Sequence, residues 1–378
     1  MKHLAILCLT FLTCSGCKWK NIQKNEKNKV TSSTYIKYAK GFEINTIGNT
    51  RELLIKAAYL NAKEQFKYTI ISHKKKASSP SKEGVIHVPV EKIVVTSTTH
   101  IPMIELLGEE HSIVGFPHTK YISSPKTRKL IATKSIQEIG LKASLNTEIL
   151  LDLKPDVVVG FSMGKTNKSL NLIEKSGIPV VLNGDWLEET PLGRAEWIKV
   201  FGVLYDKEKL ADSIFNVIEK NYIEAKLIAS KARYRPRILS GAIMGKDIWN
   251  LPAGESFVAQ FLTDANTEYI WKDSKGKGSL SISFESALDK GKSADLWIAP
   301  GFFKTKEQML NSNRHYKNFT AFQQNQIYTF TNTIGATGGA IYFELGPTRP
   351  DLVLKDIIKI THPELLGDYT STFFHKMN

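Results

Sequence analysis

Cysteine is nearly absent from this 378-residue chain. Three occur, at positions 8, 14 and 17, and none follows. Residues beyond Cys17 therefore cannot form a disulfide among themselves, and stability must come from ordinary apolar cores. Long apolar runs are equally scarce. The stretch Leu4 to Thr13 falls short of the roughly 20 apolar residues that a membrane-spanning helix needs. Acidic residues are in the minority, at 37 against 51 Lys and Arg, for a net charge of +14. Such an excess suggests nucleic acid until it is located. Residues 17–40 hold seven lysines against Glu26, and residues 41–378 keep +7 once Lys2 is set aside. Much of the charge thus sits on a polar Lys/Asn/Ser/Thr segment that suits a disordered tether near anionic headgroups. Export, argued next, speaks against a nucleic-acid partner.

What is present at the start is informative. Met1-Lys2-His3, the apolar run and then Cys14-Ser15-Gly16-Cys17 form a basic end, an apolar segment of secretory length and small residues before a cysteine. The end resembles a bacterial lipobox, which implies cleavage before Cys17 and lipid on its sulfur. Cys14 stands where that motif usually has Leu. The rival is an ordinary signal peptide with a coincidental cysteine, and the absence of later cysteines argues against it. The expected layout is a lipoprotein signal peptide over 1–16 and a flexible basic tether over 17–40. The residues after Cys17 show no acidic run, which favours the periplasmic side; the choice of membrane stays open.

Strand and helix patterns then alternate. Residues 41–88 read as a few edge strands and a Lys/Ser/Pro/Gly loop. Val88 to Val95 reads as one buried strand, with helices and strands following to Leu182. The stretch 207–231 carries Leu210, Ile214, Val217, Ile218, Tyr222 and Leu227 at helical spacing, a single helix roughly 37 Å long. Beyond it the alternation restarts at Arg237 and closes with a helix over 349–361. The fold class expected is α/β: an N-terminal lobe over 41–190, linking helices over 191–232 and a C-terminal lobe over 233–378, each lobe built on a central parallel sheet, with a ligand cleft between them.

Two short motifs share one form. Asn146-Thr147-Glu148 and Ser283-Phe284-Glu285 each place a capping residue two positions before a glutamate, and each helix leads through an Asp to an apolar strand. With Gly193-Arg194-Ala195-Glu196-Trp197-Ile198 and the end Arg349-Pro350-Asp351 to Leu366, they carry a resemblance. The chain resembles the periplasmic substrate-binding proteins of iron-chelate and cobalamin ABC importers, over roughly Val88 to Leu366. That resemblance implies an iron-siderophore or related metal chelate as ligand, and a two-fold permease with ATPase subunits as partner. It also implies that Glu148 and Glu285 pair with permease arginines; the plainer alternative is two first-turn acidic residues. No cofactor is implied.

Ligands of two-lobed α/β proteins bind at the carboxyl ends of the strands. The loops expected there offer Thr99, His100, Phe161, Ser162, Trp186, Trp249, Ser256, Phe302 and Tyr342. The aromatic residues suit a bulky chelate, or plain packing. His100 could touch the ligand, bind metal or be structural, and no other cleft loop supplies a histidine to build a bare metal site. Lys165 and Lys246 could meet an anionic chelate or simply be solvated. An enzyme is the remote alternative. Gly160-Phe161-Ser162-Met163-Gly164 fits the nucleophile pattern of α/β-hydrolases, with His315 and His362 as the available bases. The same stretch lacks the spacing of a phosphate loop, and Gly335 to Gly339 lacks that of a dinucleotide turn.

Overall fold

The computed structural model describes residues 32–73, 84–141, 144–164 and 167–378. The signal peptide, Cys17, most of the tether and Lys165 lie outside the described residues. Among those described, no helix is long and apolar enough to cross a membrane.

Each lobe holds a five-stranded sheet. In the N-terminal lobe the order is Val180–Leu182, Val157–Gly160, Ile93–Val95, Ile113–Phe116, Gln137–Glu138, all parallel. Alternation sends Ile93, Val95, Val157 and Val159 to one core, while Val94 and Val158 meet Leu150, Leu170 and Ile173 on the other face. Both faces are covered, as a parallel sheet requires. The C-terminal lobe has the order Glu268–Tyr269, Arg237–Ser240, Leu296–Ile298, Ile327–Thr329, His375–Lys376; only the last pairing is antiparallel. Trp297 at its centre is fully buried and stacks on Trp249, 5.3 Å between ring centroids.

Each lobe also carries an added sheet. Residues from Ser32 to Val88 form five strands in sequence order, antiparallel except for the parallel last pair. It packs against the linking helices, with Phe42 edge-on to Trp197 at 4.9 Å. The expected single strand 88–95 is broken. Val85–Val88 ends in this sheet and Ile93–Val95 begins the parallel one. Pro89 between them has no N–H to donate to a ladder. In the C-terminal lobe, Ala242–Gly245, Ile248–Pro252 and Ser279–Ser283 form a three-stranded antiparallel sheet.

The tether is shorter than expected, because residues 37–41 are pinned to the body. Glu196 is fully buried and accepts the backbone N–H groups of Lys37, Tyr38 and Ala39 at 2.7–3.1 Å. Glu188 accepts those of Lys40 and Gly41, and the Trp197 indole at 2.9 Å. Charge-assisted bonds of this kind hold a segment that its composition alone marks as loose. Gly41 is required there, since a Cβ would stand 2.7 Å from the Trp197 ring.

Glu208–Ala229 is the linking helix, 22 residues or ~33 Å long. Its buried stripe is rotated from the expected one. Ala211, Phe215, Ile218, Tyr222, Ala225 and Ala229 face inward, while Leu210, Val217 and Leu227 are exposed. Three alanines on the inner face let neighbouring helices approach closely, which a stripe of larger residues would prevent. Ala211, Phe215 and Ile218 belong to the N-terminal core, and Tyr222, Ala225 and Ala229 to the C-terminal one. A single rigid helix is thus shared by both cores.

Candidate ligand cleft

The C-terminal lobe supplies most of the cleft. A cavity of about 610 Å³ opens at the carboxyl ends of three of its strands, where Ser240, Gly241 and Ala242, then Ala299 and Phe302, then Phe330 line it. Asn250, Leu251 and Pro252 of the added sheet form another wall, and Ser256, Phe257, Tyr342 and Phe343 complete the aromatic side. The N-terminal lobe contributes Thr98 and Thr99, from the loop after Ile93–Val95. Pro191 and Arg194 come from the first linking helix, Pro191–Glu196. Gly241 has φ +84°, and a Cβ there would fall 2.0 Å from the Asn250 carbonyl oxygen. Only glycine lets the strand end and the added sheet meet this closely.

Several expected cleft residues line the cavity. Thr99 does, and so does Ser256, whose hydroxyl also accepts the Ala259 N–H to cap Phe257–Asp264. Phe302 stands exposed at the rim, edge-on to Phe330. Tyr342 stacks on Phe330 with centroids 4.8 Å apart. Burial raises its phenol above the usual range, while Arg194 pulls the other way.

Others do not. His100 is fully buried beneath the loop, its ring 5.6 Å from Phe201, and neither ring nitrogen has a partner. Burial lowers its pKa to about 4, so the ring is neutral at pH 7. Trp249 lies in the C-terminal core, its indole donating to the Ser240 carbonyl at 3.0 Å. Burial alternates along Ile248–Pro252, and at Trp249 the inward face meets Trp297 and Phe319 of the core and not the cavity. Phe161 packs edge-on against Trp186 at 5.5 Å, and the two pack on each other instead of lining the cavity. Ser162 is buried, its hydroxyl donating to the Gly164 carbonyl at 2.6 Å. Neither candidate base is placed beside it: His315 lies against Phe284, and His362 bonds the Ala265 carbonyl. Lys246 lies in the hairpin turn between two strands of the added sheet, away from the cavity. Among the described residues no group of three or more His, Cys, Asp or Glu is placed to hold a metal.

Among the lining residues that sequence reasoning missed are Arg194, Met244, Phe257, Lys277, Phe330 and Phe343. Phe330 ends an expected strand and was findable from that position. Phe257 and Arg194 were not, because they reach the cavity from helices whose packing no local pattern reveals.

Glu148 and Glu285 sit in the first turns of Thr147–Leu153 and Phe284–Gly291. Asn146 and Ser283 cap these helices through the N–H groups of Ile149 and Ser286, each at 3.2 Å. Each helix feeds a parallel strand, so its N-terminus lies at the strands' carboxyl end, on the cleft side of its lobe. Both glutamates are exposed.

The short helix Ile341–Leu345 of the C-terminal lobe and the loop before it grip the N-terminal lobe beside the cleft. Glu344 accepts the N–H groups of Ser123 and Ser124 at 2.6 and 2.8 Å, and Thr337 donates to the Lys120 carbonyl at 2.7 Å. Burial raises the Glu344 pKa to about 7, against the pull of those two N–H groups.

Comparison with known proteins agrees with this architecture. Uncharacterized lipoprotein MJ0878 of Methanocaldococcus jannaschii is 26% identical, over 99% of this chain and 96% of its own length. The crystal structure of a possible iron-binding (periplasmic solute-binding) protein from Staphylococcus epidermidis shares the fold with a TM-score of 0.58 and 20% identity. The match covers 72% of this chain and 99% of that one. The periplasmic heme binding protein HutB of Vibrio cholerae does so with a TM-score of 0.54 and 16% identity, over 70% of this chain and 99% of its own. Residues 93–333, spanning both parallel sheets and the linking helix, match the periplasmic binding protein family; the chain belongs to that family, the non-enzymatic solute-binding proteins of ABC importers.

Proposed function

We propose that the protein captures a metal chelate, with a ferric siderophore as first choice, and delivers it to a membrane permease. The observation that carries this is the aromatic cavity between the lobes. Phe257, Phe302, Phe330, Tyr342 and Phe343 offer faces and edges to a bulky, partly apolar body. Cobalamin is the second choice of ligand, and haem or an oxyanion the third. Intrinsic-tryptophan titration and thermal shift with a ferric siderophore, cobalamin and haemin test the proposal. Saturable binding of one of them supports it, and no response to any of the three removes the chelate.

Lipid on Cys17 would keep this capture protein anchored on the periplasmic side of a membrane, inner or outer, in line with the lipoprotein name of the Methanocaldococcus jannaschii relative. Docking on a two-fold permease, driven by its ATPases, would use Glu148 and Glu285, one on each lobe. Charge reversal at both should abolish uptake and leave ligand affinity intact; unchanged uptake would sink the docking role. A helix shared by two cores also favours small closure on binding, and a large change in scattering between free and loaded protein would contradict it.

A further inference from the structure

We propose that Arg194 is the anion receptor of this cavity, and that the ligand carries a carboxylate or another oxyanion beside its apolar bulk. The inference deepens the binding-protein reading of the same cavity and rests on it.

Two charged side chains line the cavity, Arg194 and Lys277, and both are basic. No Asp or Glu is among the described lining residues. Lys277 is already engaged: its ammonium pairs with Glu189 and remains exposed at the rim. Arg194 is different. Its side chain is only 11% exposed, and the nearest carboxylate, on Asp185, stands 3.9 Å away, beyond hydrogen-bonding distance. The Nε atom is buried with no acceptor. A guanidinium has five donors in a rigid fork, and leaving them unused out of water is costly. Buried donors of this kind are the exception in folded proteins and call for a partner. The fork matches a two-oxygen anion.

The surroundings hold the group ready. Its Cζ lies over the Phe257 ring, 4.6 Å from the centroid, a cation–π contact that holds it against the aromatic wall. The helix bearing it is capped by the Thr190 hydroxyl, and its last residue is the buried Glu196 that binds residues 37–39. Asp185 behind it is itself buried, with Oδ2 unpartnered, and balances the charge while no anion is bound. Asp185 is thus a positioning residue. His100 beneath is held neutral and adds no competing cation. Around the fork stand Phe257, Tyr342 and Phe330, so the rest of the ligand meets carbon.

The test uses two dyes that differ by one sulfonate, 8-anilinonaphthalene-1-sulfonate and uncharged N-phenyl-1-naphthylamine, titrated by fluorescence. The variant is Arg194→Gln with Asp185→Asn, which leaves no buried unpaired charge; Arg194→Lys is the conservative partner. The ratio of the two dissociation constants should move against the sulfonate by about fivefold or more in the double variant, ~1 kcal/mol. Arg194→Lys should recover part of it. Phe302→Ala should weaken both dyes alike, since it removes wall and no charge. A ratio that moves less, or dyes indifferent to Phe302→Ala and Phe330→Ala, overturns the proposal. Retained charge preference without binding of any metal chelate would keep the anion site and remove the chelate. Chelate binding with an unmoved ratio would do the reverse.

Discussion

The two lobes share a plan and spend their additions differently. Both are largely parallel sheets with helices on their faces, and both carry an extra, mainly antiparallel sheet. In the N-terminal lobe that sheet, Ser32 to Val88, backs onto the linking helices and buries Phe42, Leu53, Ile55 and Ile70 in the core. In the C-terminal lobe it stands at the strand ends and becomes a cavity wall through Asn250, Leu251 and Pro252. The aromatic residues follow the same division. Phe302, Phe330, Tyr342 and Phe343 face the cleft from the C-terminal lobe, whereas Phe161 and Trp186 of the N-terminal lobe pack on each other. One lobe therefore forms the pocket; the other supplies a polar edge, and the first linking helix, Pro191–Glu196, a cation.

Breaking the C-terminal half should cost most. Trp297→Ala removes the ring that Trp249, Tyr316 and Phe319 surround. A loss of about 3–5 kcal/mol in denaturant unfolding is expected, and a loss below about 1 kcal/mol would show that the stack does not carry this lobe.

Next comes the contact between lobes at Glu344. A carboxyl raised to about 7 in the fold, from an ordinary 4.5, binds its proton more tightly folded than unfolded. Its contribution to stability is therefore greatest below pH 4.5 and fades as pH rises to 7. Glu105 faces the group and raises its pKa further, while Arg128 opposes that. Relative to Glu344→Gln, the wild type should lose on the order of 3 kcal/mol between pH 4 and pH 8. Parallel stability curves for the two proteins would refute this.

The N-terminal clamp should matter locally. Glu196→Ala strips three backbone donors of their acceptor and should lower stability by ~2 kcal/mol. Amide exchange at residues 37–39 should accelerate far more than at residues 93–95. Uniform acceleration would mean that the clamp supports the whole lobe.

The smallest effects sharpen the asymmetry at the cleft itself. Phe330→Ala should weaken binding of the cargo, or of the uncharged dye, by roughly tenfold. Thr99→Val on the facing lobe should change it by less than about twofold. Equal losses would erase the division of labour.

Much was legible locally. Capped glutamates at 148 and 285, β-branched strands and the long linking helix are written in spacing and cap chemistry, which act over a few residues. Trp249 was misplaced because a strand's inner face is set by what lies behind it. His100 was misplaced for the same reason, at the start of a helix that packs under Ile198–Leu204, where Phe201 covers its ring. The tether's end at residue 40 was missed because its anchors, Glu188 and Glu196, lie about 150 residues away along the chain. Composition, cap chemistry and the two periodicities determined the lobe plan, while the family entered as a resemblance of short motifs. Only the tertiary structure decided which lobe forms the cavity and which cation reaches it, because burial and charge pairing depend on partners distant in the chain.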